Sequence, residues 1–166
     1  MRRRDFLATS AVIGLSASLH AGETTVETKT LNAAEATIAA VQQHMFPEGG
    51  KLPSAKAMNS IAFLKETITH ASYDKDIRGF VIEGAQELER RTQGKFLTMD
   101  DAQKEAALRS YEETRDGRNW LARIMTLTME AIFSDPIYGS NINQEGWKAV
   151  GSFGGSPRPK ERYIEL

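Results

Sequence analysis

Apolar residues between positions 31 and 133 recur at intervals of three and four, the pattern of helices that each bury one face. The first helix is expected to begin at Asn32, a capping residue with Glu35 in the capping-box position, and to carry Ala34, Ile38, Val41 and Met45 on one side. Pro47-Glu48-Gly49-Gly50 ends it, and Lys51-Leu52-Pro53 reads as a surface turn. Ser54 caps a second helix that turns Met58, Ile61, Ala62, Leu64 and Ile68 inward, with a break over Ser72 to Asp76. The third has the cleanest stripe: Ile77, Phe80, Val81, Gly84, Ala85 and Leu88 all fall on one helical face. Glycine in a helix interior costs up to about 1 kcal/mol against alanine, so Gly84 points to a close helix-helix contact. Arg90 and Arg91 suit the negative end of this helix before Gly94 stops it.

A fourth, more polar helix is predicted from Thr98, with Asp101 three residues on, to about Glu113. The fifth, from about Arg118 to Phe133, differs in kind. Trp120, Leu121, Ile124, Met125, Leu127, Met129 and Ile132 wrap most of its circumference, as in a central helix covered on several sides. No stretch alternates long enough to build a sheet. The predicted class is all-α, an irregular bundle of about five helices with an extended, aromatic, Gly- and Pro-rich C-terminal tail.

Where the fifth pattern stops, the chain reads Phe133-Ser134-Asp135-Pro136-Ile137-Tyr138-Gly139-Ser140-Asn141, followed by Gly146-Trp147-Lys148. Asp135-Pro136 disfavours further helix, because the residue before a proline is pushed out of the helical region and the proline has no N-H. Tyr138, Trp147 and Phe153 are large enough to pin such a loop onto a core. The plain reading is a helix end with an anchored tail, and the sharper one is a docking surface. Met129-Glu130-Ala131-Ile132-Phe133-Ser134-Asp135-Pro136-Ile137-Tyr138-Gly139-Ser140-Asn141 with Gly146-Trp147-Lys148 resembles the C-terminal signature of the gluconate 2-dehydrogenase subunit 3 family. Ser140 stands where that signature leads one to expect a second glycine. The likeness extends in outline to Leu31-Asn32-Ala33-Ala34-Glu35 and to an export signal before it. It implies a small, cofactor-free subunit of a periplasmic or membrane-associated flavin-dependent sugar or sugar-acid dehydrogenase. The implied partners are a large FAD-containing subunit of the glucose-methanol-choline type and, in some complexes, a cytochrome c subunit carrying haem c. Phe133, Asp135, Pro136, Tyr138, Gly139, Asn141, Gly146 and Trp147 are then the candidate partner-binding and structural residues.

Residues 1–21 read as a targeting segment. Arg3-Arg4-Asp5-Phe6-Leu7 is similar to a twin-arginine signal, with Arg3, Arg4, Phe6 and Leu7 as the residues read by the translocase. The apolar run from Phe6 to Leu19 falls short of the roughly 20 residues a spanning helix needs. Cleavage is expected after Ala21 or Ser18, with an uncleaved anchor as the alternative, and the expected location is periplasmic, either free or associated with the inner membrane. A threonine-rich linker over 22–30, a helical domain over 31–151 and a tail over 152–166 complete the expected organisation.

Composition narrows the chemistry. The 166 residues suit one domain, with 40% hydrophobic and 26% charged residues. The net charge of -1 includes three arginines and one aspartate at positions 2–5, which contribute +2, so the body beyond is near -3 and offers no nucleic-acid footprint. The absence of cysteine excludes a disulfide framework, thiol catalysis, thiolate metal sites and thioether haem attachment.

The polar constellations lead to no catalytic, cofactor-binding or metal residue. Glu66 and His70 lie one turn apart, as metal ligands can, but two ligands do not make a site. His44 reads as a capping or solvent-facing residue near a helix end. The acidic and basic residues from Glu83 to Arg91 read as a solvated face. Glu130, within the apolar fifth helix, would need Arg123 or Lys148 as a partner if buried. Gly151-Ser152-Phe153-Gly154-Gly155-Ser156 lacks the strand and helix that flank a phosphate loop.

Twin-arginine export carries folded proteins, usually because a cofactor is inserted first, and this chain has no cofactor motif. The economical expectation is a helical subunit that binds a folded, cofactor-loaded partner and takes it across the membrane. The rival is a free-standing cell-envelope domain or enzyme, for which Glu130 and His70 would be the best polar candidates. A chaperone released after export is a third reading.

Overall fold

The computed structural model describes residues 31–162. The targeting residues Arg3, Arg4, Phe6 and Leu7 and the 22–30 linker lie outside the described residues. The chain divides into two compact units, 1–33 and 34–166, and the account below is of the second.

Among the described residues six α-helices follow in order: α1 over 31–45, α2 (Ser60–Thr69), α3 (Lys75–Arg91), α4 (Asp101–Glu112), α5 (Arg115–Phe133) and the short α6 (Glu145–Ala149). Among the described residues there is no strand, so the class is all-α. Helix α1 already runs through Leu31, which places Asn32 inside the helix rather than at its cap. Ser54 does cap a turn, accepting from the Ala57 N-H (3.2 Å), but Asn59 then takes the left-handed conformation (φ 56°) and α2 starts only at Ser60. Met58, Leu64 and Ile68 are buried as expected, whereas Ile61 is partly exposed and Ala62 exposed, because the break at Asn59 rotates the stripe.

Helix α4 is capped by Asp100, not Thr98: Asp100 and Gln103 form a reciprocal capping box, while Phe96–Thr98 is a 3₁₀ turn. Helix α5 starts three residues earlier than predicted, where Thr114 accepts from the Gly117 N-H. It packs on α2, α3, α4 and α6 and is the centre of the fold. Its circumference is not fully covered, however. Met125 and Met129 are 45% and 41% exposed.

The contact suspected at Gly84 is the α3–α5 crossing. The Trp120 indole lies directly on the α3 backbone, where a Cβ on Gly84 would fall 2.0 Å from Trp120 Cδ1. Lying there, Trp120 Nε1 donates to Val81 O (2.9 Å), so its one polar atom is satisfied in the core. Tyr111 of α4 donates to Gly84 O (3.3 Å) from the same layer, and burial pushes its hydroxyl up to about 12. Helix α1 joins the other helices through polar contacts as well, with Thr37 on Glu89 (2.6 Å), Glu35 on Lys65 (2.7 Å) and His44 on Glu105 (2.9 Å).

Candidate partner-binding face

Helix α5 delivers the chain to the face. A helix end leaves carbonyls without intrahelical donors, and here side chains from the following loop supply them. Trp147 Nε1 donates to Phe133 O (2.7 Å) and Asn141 Nδ2 to Ser134 O (2.8 Å). Asn141 is fully buried and holds the left-handed conformation (φ 47°, ψ 50°), which asparagine tolerates better than most residues. Its Oδ1 accepts from Gly146 N (2.9 Å), so one side chain fixes both the end of α5 and the start of α6. Gly146 itself sits against α5, where a Cβ would fall 1.9 Å from Ile132 O.

Between these anchors, Asp135 accepts from Ile137 N (3.0 Å), and Pro136 opens a 3₁₀ turn over Pro136–Tyr138 that closes on Gly139 (φ 80°). Proline suits that first position because its missing N-H has no acceptor there in any case. Ser140, at the position expected for glycine, is buried and not left-handed; its hydroxyl shares a 2.6 Å hydrogen bond with that of Ser134, and Asn141 takes the left-handed step instead. Asn59 Nδ2 donates to Gly139 O (2.9 Å) and seats the loop beside α2.

Residues 152–162 have no regular structure, but they are not free. They fold back across the loop as a strap. Arg158 grips Asp135 with two bonds (2.8 and 3.0 Å) and lies over the Trp147 ring at 4.6 Å from its centre. Arg162 donates to Ile137 O (2.9 Å) and pairs with Glu66 of α2. The Arg158 guanidinium holds the Asp135 carboxyl below its usual range, against the opposing effect of burial and with help from the Ile137 N-H.

All the predicted face residues are thus brought together, and most are spent on building the loop. Asn141, Gly146 and Trp147 are buried, Asp135 is committed to Arg158, and Phe133, Pro136 and Tyr138 are partly exposed. Ser134, Ser140, Asn59, Arg158 and Arg162 complete the set. Of these, the arginines had no local signal, since Arg158 reaches back 23 residues and Arg162 reaches 96. Phe153 does not pin the loop, because its side chain is 75% exposed. Glu130 is exposed rather than buried, and Lys148 pairs with Glu145. Glu66 and His70 do not converge, since Glu66 turns to Arg162 and His70 bonds Ser72 (2.7 Å). Among the described residues no group of three His, Cys, Asp or Glu side chains could hold a metal ion, and no helix is long and apolar enough to cross a membrane.

The sequence model of gluconate 2-dehydrogenase subunit 3 matches residues 32–155, which takes in α2 to α6, all but the first residue of α1, and the whole loop. The chain belongs to the gluconate 2-dehydrogenase subunit 3 family. No curated protein and no solved structure matches it significantly. By the description of its family, the chain is an accessory subunit of a dehydrogenase complex. In this gluconate 2-dehydrogenase subunit 3 protein, the many loop-to-helix bonds give the face a fixed geometry.

Proposed function

We propose that the protein is the non-catalytic small subunit of a periplasmic or membrane-associated FAD-dependent dehydrogenase. It binds the large flavoprotein subunit, supports its folding and maturation, and carries it through the twin-arginine translocase. FAD belongs to the large subunit, of the glucose-methanol-choline type, and haem c to a cytochrome c subunit where one is present. The observation that carries this reading is the family match across 32–155, which includes the cross-tied loop from Phe133 to Trp147. That loop supports the reading physically, because a preorganised surface loses little entropy on association. Asp135, Pro136, Tyr138, Gly139 and Trp147 are the framework of the docking face, and Arg3 and Arg4 the export residues.

The test compares the intact chain with an Arg3→Lys, Arg4→Lys variant and follows both the chain and flavin-dependent dehydrogenase activity after cell fractionation. Activity held in the cytoplasm with the variant is the expected result. Activity that still reaches the periplasm while the variant does not would overturn the carrier role and favour a free-standing domain.

A further inference from the structure

Phe153 is exposed on a backbone that is fixed around it. Gly151 (φ 68°) and Gly154 (φ 72°) flank it in the left-handed conformation, which other residues rarely adopt. Ser152 N donates to Trp147 O (2.8 Å), which ties the residue before Phe153 to α6. Gly154 lies flat on the Trp147 indole, where a Cβ would fall 2.2 Å from Cη2. The ring in turn is held by Phe133 O, which accepts from its Nε1 edge, and by Arg158 over its face. Both sides of Phe153 are therefore anchored while its ring points away from the core. Val150, three residues earlier, is 56% exposed. A large aromatic presented on a rigid support is what interface anchors share, since little freedom is lost when it is buried.

The charged side chains that tie this face together are paired, Arg158 with Asp135, Lys148 with Glu145 and Arg162 with Glu66, so an anchor here would act by apolar burial. The family match runs past the end of α6 to residue 155 and so includes Phe153.

We infer that Phe153, with the exposed Val150 three residues before it, is the anchor this subunit inserts into an apolar socket on the flavoprotein subunit. The signature residues serve by holding that anchor in place. This rests on the docking reading above. The test is affinity capture of the full-length tagged chain co-expressed with the flavoprotein subunit, with bound flavin absorbance as the readout. Phe153→Ala should cut captured flavoprotein about 10-fold or more, the range of an interface hot spot. Phe153→Leu should recover part of it, capture by the wild type should survive high salt, and Met125→Asp with Met129→Asp, at two other exposed apolar positions, should leave capture unchanged. Thermal unfolding of Phe153→Ala should match that of the wild type, since the side chain is 75% exposed.

If the wild type captures flavoprotein and Phe153→Ala does so equally, the anchor is overturned and the docking reading stands. If the wild type captures none, both fall. Self-association of the purified chain, or its pelleting with phosphatidylcholine vesicles, that is abolished by Phe153→Ala would also overturn the proposal, assigning the residue to a second copy or to a lipid surface.

Discussion

Asn141 shows how much of the face depends on one side chain. It is fully buried, donates to Ser134 O and accepts from Gly146 N, the first at the C-cap of α5 and the second in α6. Replacement by alanine leaves a buried carbonyl and a buried N-H without partners, each of which costs about 1–3 kcal/mol. Alanine is also less tolerant of the left-handed backbone. Asn141→Ala is therefore expected to lower unfolding stability by about 2–4 kcal/mol in urea titration, with Asn141→Asp intermediate because it keeps only the acceptor. The same logic applies at Gly84, where the obstacle is the Trp120 ring rather than a lost bond. Gly84→Ala is expected to destabilise by about 1–3 kcal/mol through overpacking, despite the better helix propensity of alanine. A stability gain in that variant would mean that Trp120 moves aside at no cost.

At the scale of elements, the strap is the part most sensitive to conditions. Its bidentate contact is Arg158 on Asp135, and the Asp135 pKa lies below its ordinary 3.8 because the guanidinium favours the charged form. A depressed carboxylate stabilises the fold fully above its unfolded pKa, and that contribution fades as pH falls through the folded value. The strap should therefore stay seated at neutral pH and loosen only in acid, starting below about 4. Tail proteolysis and Trp147 fluorescence followed against pH would show this step, and Asp135→Asn should be loose already at neutral pH with no step. The strap also marks the limit of what the sequence discloses. Helix α3 and the Gly84 contact were legible because a glycine inside a strong helical period has few reasons to be there. The helix starts were less so: Thr98 and Asp100 are both capping residues, and only the Gln103 side chain decides between them. Asn59 interrupts α2 while sitting in an unbroken apolar period, so its left-handed turn was hidden. The short α6 was missed as a helix because its glycine and tryptophan read as loop residues. The long-range grips of Arg158 and Arg162 have no period at all.

For the whole molecule, the docking proposal puts stability and recognition on different residues. The core of α2, α3, α4 and α5 is closed by buried apolar side chains such as Leu64, Leu88, Trp120, Ile124 and Ile132, none of which touches solvent appreciably. The strap is held mainly by ion pairs with partly exposed members: Arg158 and Arg162 are 35% and 33% exposed. Such pairs are worth about 0–1 kcal/mol each, somewhat more where bidentate. Removing residues 152–166 should then leave the helical circular dichroism intact and lower the melting temperature by only a few degrees, about what 1 kcal/mol produces in a domain of this size. Trp147 should respond far more strongly. It loses Gly154 and Arg158 from its ring while Trp120 stays buried, so a red shift in emission would come from Trp147 alone. The same truncation removes Phe153 and should abolish capture of the flavoprotein. Loss of capture with the bundle still folded separates the face from the core that supports it. Collapse of the helical signal on truncation would instead mean that the strap is part of the fold, and that the apolar core cannot close the bundle by itself.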